Sequence, residues 1–341
     1  MTAAAAFRDG VRRVNGAPAM LAGMCLVTLL AALPLSLALR GMIEAHLGQS
    51  LVAEAVASGA DYQWWQEFLS QATGLGSTFA PSIVGVGAVL DNLDALVDNR
   101  PMAATIAGVT AAWLLLWSFL SGGVIDRLAR ARRTRAHGFF AACGIHFWRF
   151  LRLGLFAWFV YYLLFGWLHG WMFSQVYDEL VRDLTSERTA ALIRLAGYLL
   201  FGAVLIFFNL IVDYARIRIV VEDRRSAVGG IVAGARFVRR HVGRVSALYL
   251  LNGLVFVVLV ALYGLLSPGA PGAGLAMWAT LLLGQVYIVG RHYLKLLFYA
   301  SQTALFQSEL AHAGYTAAPP VEWPDSPAAE SITNAAATDT L

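Results

Sequence analysis

The sequence predicts an all-α membrane protein that crosses the bilayer six times. Of its 341 residues, 59% are hydrophobic and only 13% are charged. Soluble domains carry about 25% charged residues, so a soluble fold has no room to bury this much apolar surface. Six apolar windows have the length of a bilayer-crossing helix, about 20 residues. The basic residues between these windows are distributed unevenly, which predicts the direction in which each helix crosses.

The six predicted spans are separated by segments of very different length. Their approximate ranges are 17–39, 102–125, 153–174, 191–212, 246–267 and 274–297. A signal peptide is the alternative for the first window, but its apolar stretch exceeds the usual 7–15 residues or so. The last window is the weakest, because 17 uncharged residues from Gly274 to Gly290 are followed by Arg291, His292 and Lys295. We expect its helix to continue beyond the bilayer.

The charge distribution favours an N-terminus inside the cell. In this orientation the inner segments hold 20 of the 25 Lys and Arg residues but only 10 of the 21 Asp and Glu residues. Enrichment in Lys and Arg marks the cytoplasmic side of a membrane protein. With the abundant Ala, Gly and Arg of the chain, this predicts a bacterial inner-membrane protein with both termini in the cytoplasm.

An internal repeat divides the six spans into three units. A glycine opens a short basic segment before each outward-going span, at Gly10 (GVRRVNGAPAMLAG), Gly144 (GIHFWRFLRLGLFAW) and Gly234 (GARFVRRHVGRVSALY). Each segment is followed by one span out, an external loop and one span back. The fold class we expect is therefore three helical hairpins, each preceded by a cytoplasmic amphipathic elbow helix.

The third basic segment has the clearest division into two faces. At 100° per residue, Arg236, Arg239 and Arg240 share one side with Arg244, and apolar side chains fill the other. A helix of this kind lies in the membrane interface, where its arginines contact anionic lipid headgroups. The alternatives are a docking surface for a partner protein and a structural elbow that only follows the positive-inside rule.

The remaining soluble parts are an outer loop and a tail. Residues 41–101 form an extracytoplasmic helical loop in which Trp64, Trp65 and Phe68 share one helical face. That face is a candidate surface for the outer leaflet or a partner, or it packs on the loop's own small core. Residues 313–341 contain four Pro, four acids and no Lys or Arg, a composition that predicts a disordered cytoplasmic tail. The membrane domain then covers residues 1–312.

The inner ends of the second and fourth spans carry the richest side-chain chemistry. Asp126 is followed by Arg127 and Arg130, and Asp213 precedes Arg216. At i, i+3 and i, i+4 spacing these residues pair along a helix. If the units pack around a common axis, Asp126 and Asp213 meet arginines of neighbouring units in a ring of ion pairs. The competing hypothesis is a phosphate or lipid-headgroup site, to which the arginines of the third basic segment also belong.

The sequence contains none of the motifs sought for catalysis or cofactor binding. It has no H-E-x-x-H, no G-x-S-x-G and no pair of aspartates within a span, so we assign no catalytic, cofactor or metal residues. The basic residues lie beside long apolar runs, which makes nucleic acid a poor partner. We expect membrane lipids as partners, together with another membrane protein or further copies of this chain.

Three segments carry a family resemblance: GARFVRRHVGRVSAL, VDYARIRIVVED and LLFYASQTALFQ. With them, residues 100–310 resemble uncharacterised bacterial six-span proteins and the membrane domain of some glycerophosphodiester phosphodiesterases. The resemblance implies alternating spans and cytoplasmic elbows. It implies no catalytic residues, because this chain has no barrel-length segment and no cluster of acids and histidines. The long outer loop at 41–101 departs from the pattern.

The function that these observations predict is structural. We expect a non-enzymatic inner-membrane protein that organises lipids or serves as an accessory subunit of a membrane complex. A transporter or lipid-handling permease is the first alternative, since a few polar residues lie within the spans. An intramembrane enzyme is the second alternative.

Overall fold

The computed structural model describes residues 1–48, 50–58, 61–80, 85–100, 104–131, 134–267 and 274–312. The described residues are predominantly helical, and none of them lies in a β-strand. The chain divides into two compact units, Met1–Leu305 and Phe306–Leu341. The predicted disordered tail, 313–341, lies outside the described residues.

The described part of the chain contains twelve α-helices, numbered in chain order. They are α1 Ala3–Asn15, α2 Pro18–Leu47, α3 Ala53–Ser58, α4 Tyr62–Gln71, α5 Gly85–Val97, α6 Ala104–Arg130, α7 Ala136–Leu163, α8 Tyr177–Val181, α9 Glu187–Val221, α10 Ala227–Arg240, α11 Val242–Leu266 and α12 Leu275–His312. Two π-helical stretches, Leu164–His169 and Met172–Val176, join α7 to α8. A 3-10 turn at Gly76–Thr78 follows α4.

Among the described residues, five helical segments are long and apolar enough to cross a membrane, which makes the chain a polytopic all-α membrane protein. They are Pro18–Leu47, Ile106–Arg130, Ala136–Val181, Glu187–Val221 and Val242–Leu266. Each overlaps one of the first five predicted spans. The sixth predicted span lies in α12, a helix of 38 residues whose apolar part is interrupted from Arg291 onward.

Two of the three predicted elbow segments contain a break between separate helices. The backbone breaks at Gly16 and Ala17 after α1, and at His241 after α10. The middle unit differs from the prediction, because α7 is continuous from Ala136 through the whole basic segment. No proline interrupts α7 and its glycines are accommodated within the helix, so the hydrogen-bond ladder continues into the apolar part.

The best-packed region lies at one end of the long helices. This end, called the basic end below, is where α6 and α9 finish, at Arg130 and Val221, and where α7 and α11 begin, at Ala136 and Val242. The largest fully buried side chains of the first unit lie toward it: Tyr214, Ile125, Leu128, Leu153, Leu210, Ile217, Ile219, Leu248, Leu296, Leu297 and Leu305. Away from the basic end, the long helices expose most of their apolar side chains.

Helix α2 is the extreme case of this exposure. Met24 is its one buried residue, and its main helix contacts are with α1 and the Gly76–Thr78 turn. The exposed leucines of α2 include Leu26, Leu30 and Leu33. A helix this apolar and this uncovered is stable only in lipid or against another protein.

A candidate functional site among the buried charges

A group of charged and aromatic side chains lies between α6, α9 and α12 near the basic end. We call it the Asp213 cluster; its members are Trp117, Asp213, Arg216, Lys295, Tyr299 and Gln302. The Asp213 carboxylate accepts hydrogen bonds from the Arg216 guanidinium and the Gln302 amide, each at 3.4 Å. Arg216 also donates to the Tyr299 hydroxyl at 3.1 Å. The Arg216 guanidinium therefore joins α9 to α12 and neutralises Asp213 on its own helix.

Lys295 brings a second cation into the cluster. Its ammonium nitrogen lies 3.4 Å from the centre of the Trp117 ring and 6.0 Å from that of Trp113. Stacking of Trp117 on Tyr299, with ring centres 6.0 Å apart, completes this wall of the cluster. A cation this close to an indole face is held by cation–π attraction, which is strongest where water is scarce.

Two neutral hydrogen bonds reinforce the same packed region. Asn252 of α11 is fully buried and donates to the hydroxyl of Ser301 on α12 at 3.0 Å. Tyr161 of α7 donates to the side-chain oxygen of Asn209 on α9. In a membrane such bonds between helices are worth about 0.6 kcal/mol each, so they orient the helices more than they stabilise them.

The predicted residues around Asp126 lie at the junction of α6 with α1. Asp126 and Arg127 are nearly buried, and the ion pair of Asp126 is with Arg130 on its own helix at 2.8 Å. Arg127 donates to the carbonyl of Gly16 at 2.9 Å, and Arg13 of α1 donates to that of Leu128 at 3.0 Å. An arginine from each helix thus satisfies a carbonyl at the end of the other.

This arrangement differs from the hypothetical ring of ion pairs between units. Asp126 and Asp213 both pair within their own helices, with Arg130 and Arg216. The side chains that cross between helices near these two aspartates include arginines bound to carbonyls or to Tyr299, and Gln302 bound to Asp213. The structure therefore keeps the Asp126 and Asp213 groups as two separate sites.

The predicted arginines of α10 lie on its outer side. Arg236, Arg239 and Arg240 are exposed, while Phe237 and Val238 are buried. The Arg240 side chain is thus separated from the Asp213 cluster by the packed face of its own helix. These three arginines form a surface of their own and do not line a common site with Asp213.

The turn between α9 and α10 is held by charged hydrogen bonds. Arg218 donates to the Glu222 carboxylate at 2.7 Å and to the Ala233 carbonyl at 2.8 Å. Burial raises the pKa of Glu222, but the hydrogen bonds from Arg218 and Arg224 outweigh it, so the pKa lies below its usual value. A hydrogen bond from Arg149 of α7 likewise lowers the pKa of Asp223.

The predicted aromatic surface within residues 41–101, the predicted outer loop, is largely turned inward. Trp64 and Phe68 are buried, and they pack with His46 and Phe79 in a small aromatic core. The Trp64 indole donates to His46 Nδ1 at 3.1 Å, and that of Trp65 donates to the Phe79 carbonyl at 3.0 Å. Of the arrangements considered for this face, packing on the loop's own core is the one found, and Trp64 and Phe68 are not free to contact a partner.

The outer loop is also attached to the long helices. His169, in the first π-helical stretch, bonds through Nε2 to the Val97 carbonyl at 2.9 Å, so Nε2 carries the hydrogen. Asn99 donates to the Phe165 carbonyl at 3.0 Å. In a π-helical turn some backbone carbonyls are displaced from the hydrogen-bond pattern of the α-helix, and the Phe165 carbonyl accepts the hydrogen bond from Asn99 instead. His169 is therefore a structural contact between the loop and α7.

Sequence reasoning missed the aromatic and cationic half of the Asp213 cluster. In the sequence, Lys295 marks only the end of the apolar part of the last span, and Trp117 is one residue of the apolar window 102–125. One signal was available: Lys295 is the single lysine of the chain, and it lies within reach of an apolar window. Its partner Trp117 is 178 positions away, so no local pattern connects them.

The chemistry available to the cluster is binding and charge stabilisation. Among the residues that the structure describes, no three His, Cys, Asp or Glu side chains come together to hold a metal ion. The cluster offers donors from Arg216 and Lys295, and one carboxylate that is already hydrogen-bonded.

Compared with models of protein families, curated proteins and solved structures, the chain matches none of them.

Proposed function

We propose that this protein is a non-enzymatic subunit of the bacterial inner membrane, with six spans and both termini in the cytoplasm. In this proposal, α1 and α10 are elbow helices in the inner interface, and the packed basic end faces the cytoplasm. The protein organises lipids and binds another membrane protein, or a second copy of itself, through its uncovered helices. The layout proposed is that of the membrane domain of some glycerophosphodiester phosphodiesterases.

Helix α12 supports the sixth crossing. Its 38 residues extend about 57 Å, so it has room for a span of about 30 Å and a cytoplasmic extension. Its apolar part pairs with α11: Tyr287 stacks on Tyr263 at 4.3 Å, and Gly290 lies against Leu259. An α11–α12 hairpin would return the chain to the side from which α11 departs.

The observation that carries the proposed function is the uncovered leucine stripe of α2. The stripe consists of Leu26, Leu29, Leu30, Leu33 and Leu37, which fall within about 100° of arc at helical periodicity. All five are at least 44% exposed, although the rest of the described chain contains long apolar helices on which they could pack. Since lipid and leucine are equally apolar, a partner gains from this stripe through shape and packing.

A transporter is the second candidate, and one observation favours it. Asp213, Arg216 and Lys295 are ionisable and lie in or beside the apolar lengths of α9 and α12. Such residues are rare within membranes and often mark the pathway of an ion or substrate. Against this, Asp213 and Arg216 are engaged in hydrogen bonds that join helices, which is what a structural role requires.

Photo-crosslinking in native membranes tests the subunit function. A photoreactive amino acid at Leu30 or Leu33 is expected to give one discrete protein adduct, either a partner or a second copy of the chain. Ala31 is the matched control, because it lies at the same depth on the far side of α2. Lipid adducts alone, or equal protein labelling from Leu30 and Ala31, would contradict the proposal.

A further inference from the structure

We propose that the Asp213 cluster binds a phosphodiester or phosphate anion against Lys295, with a phospholipid headgroup of the inner leaflet as its source. The inference deepens the lipid-organising part of the proposed function and rests on its six-span arrangement. It assigns a ligand to residues of α6 and α12 that lie outside the arginine surface of α10.

The first argument is the unused donor capacity of Lys295. An ammonium group carries three N–H donors. Trp117 covers one side of it at 3.4 Å, but within the described residues Lys295 makes no ion pair and no hydrogen bond. An aromatic face accepts a cation without satisfying its other donors, so the remaining N–H groups of Lys295 are available to an oxygen ligand.

The second argument is the charge balance of the cluster. Its one carboxylate, Asp213, is hydrogen-bonded to Arg216 and Gln302, which leaves Lys295 as an excess positive charge. Lys295 interacts electrostatically with Asp213, which favours its charge, and with two further cations, Arg216 and Arg291, which oppose it. An excess charge of this kind is costly away from bulk water unless an anion compensates it. A phosphodiester carries one negative charge and several acceptor oxygens, which matches the excess.

The third argument is the level of the cluster along the helices. Lys295 follows Leu275 by 20 residues on α12, which is about 30 Å, the thickness of the hydrocarbon layer. On α9 the apolar run that follows Arg194 ends at Asp213, about 29 Å further along. In the proposed topology both positions reach the inner ends of their spans, next to the headgroup level.

Native mass spectrometry of the full chain, purified in detergent, tests the site. The probes are phosphatidylglycerol, diacylglycerol with the same acyl chains, and inorganic phosphate without lipid. We expect the protein to retain phosphatidylglycerol and not diacylglycerol. Lys295→Gln should lower the retained fraction about five- to tenfold, and Lys295→Arg should preserve most of it, because it restores the charge.

Arg188→Gln is the matched control, since it removes one positive charge from an exposed position at the opposite end of α9. Its expected effect is about twofold or less, because exposed charges are screened by water and salt. Equal losses in K295Q and R188Q would mean nonspecific attraction and would overturn the proposal.

The comparison of probes with the wild-type chain does not depend on how any variant folds. Binding of phosphatidylglycerol over diacylglycerol supports the headgroup as the source. Binding of inorganic phosphate that requires Lys295, without a preference between the lipids, supports the anion site but replaces the headgroup by a free phosphate. Absence of both preferences overturns the site. The crosslinking from α2 reports on a different part of the protein, so the two proposals fail separately.

Discussion

Gly234 lies where α10 crosses α9, and its missing side chain allows the two backbones to touch. A Cβ atom at this position would lie 2.9 Å from both the Ala215 nitrogen and the Ile211 carbonyl oxygen. Backbone atoms cannot move aside as a side chain can, so the two helices would have to separate. The close packing of α10 on α9 at the basic end therefore depends on a glycine at position 234.

Gly234→Ala is therefore expected to destabilise the protein by about 1–3 kcal/mol, the usual cost of overpacking. The measurement is the temperature at which half of the detergent-purified protein stops eluting as a single species. Gly229→Ala is the control on the same helix, because its Cβ would meet only Ser226 at 3.4 Å. This control should be neutral or slightly stabilising, since Ala favours helix over Gly. Equal losses in the two variants would contradict the close contact.

The joint between α9 and α10 shows how one charged contact positions a whole element. Arg218 connects the end of α9 to Ala233 in α10, and Glu222 holds the guanidinium in place. Glu222 is nearly buried, so its carboxylate depends on Arg218 and Arg224 for compensation. The surface arginines of α10 thus lie on a helix that is fixed at its N-terminal connection to α9.

Glu222→Gln should lower the stability of the folded protein by about 1–2 kcal/mol at neutral pH, through loss of charge-assisted hydrogen bonds. The pKa of Glu222 is lower in the folded protein than in the unfolded chain, where it is about 4.3. Its stabilisation is therefore complete above that value and disappears as the pH falls through the folded-state pKa.

Unfolding midpoints of wild type and E222Q are measured in detergent from neutral pH to about pH 3.5, and their difference should shrink as the pH falls below about 4.3. Glu179→Gln removes a carboxylate from an exposed ion pair with Arg182 and should change stability by less than about 0.5 kcal/mol. A constant difference between wild type and E222Q across the pH range would rule out the titration of Glu222 as its cause.

At the scale of the whole molecule, the number of crossings decides which side each site faces. Fluorescent reporters that fold in the cytoplasm should be active when fused after Ala131, Arg225 and His312. A periplasmic reporter enzyme should be active after Asp183. The physical reason is the excess of Lys and Arg on the segments assigned to the inside.

The fusion after His312 separates six crossings from five. With the N-terminus inside and five spans, that fusion would be periplasmic, and α12 would lie along one side of the membrane. A periplasmic signal there would remove the basis for placing Lys295 at the inner headgroup level. Activity of the cytoplasmic reporter after Ala131 and Arg225 would still support the orientation of the first four spans.

The sequence predicted most of the long helices because hydropathy is a local property. A run of about 20 apolar residues has few alternatives to a helix in or against a bilayer. The same logic began the first span at residue 17, beside the break after α1. It was wrong for the third basic segment, which was predicted as one helix through Arg244, because the backbone breaks at His241 and Arg244 lies on α11. It also failed for α7, because no local residue signals whether a basic segment ends as a separate helix or continues into the span.

By itself, the sequence determined that this is an all-α membrane protein and where its apolar helices run. Only the tertiary structure decided that Lys295 lies on Trp117, that Trp64 and Phe68 form a core, and that α2 stands largely uncovered. These facts depend on contacts between residues far apart in the chain, and in a membrane hydropathy does not choose among them. A leucine facing lipid and a leucine facing a helix are in equally apolar surroundings, so packing and polar contacts make the choice.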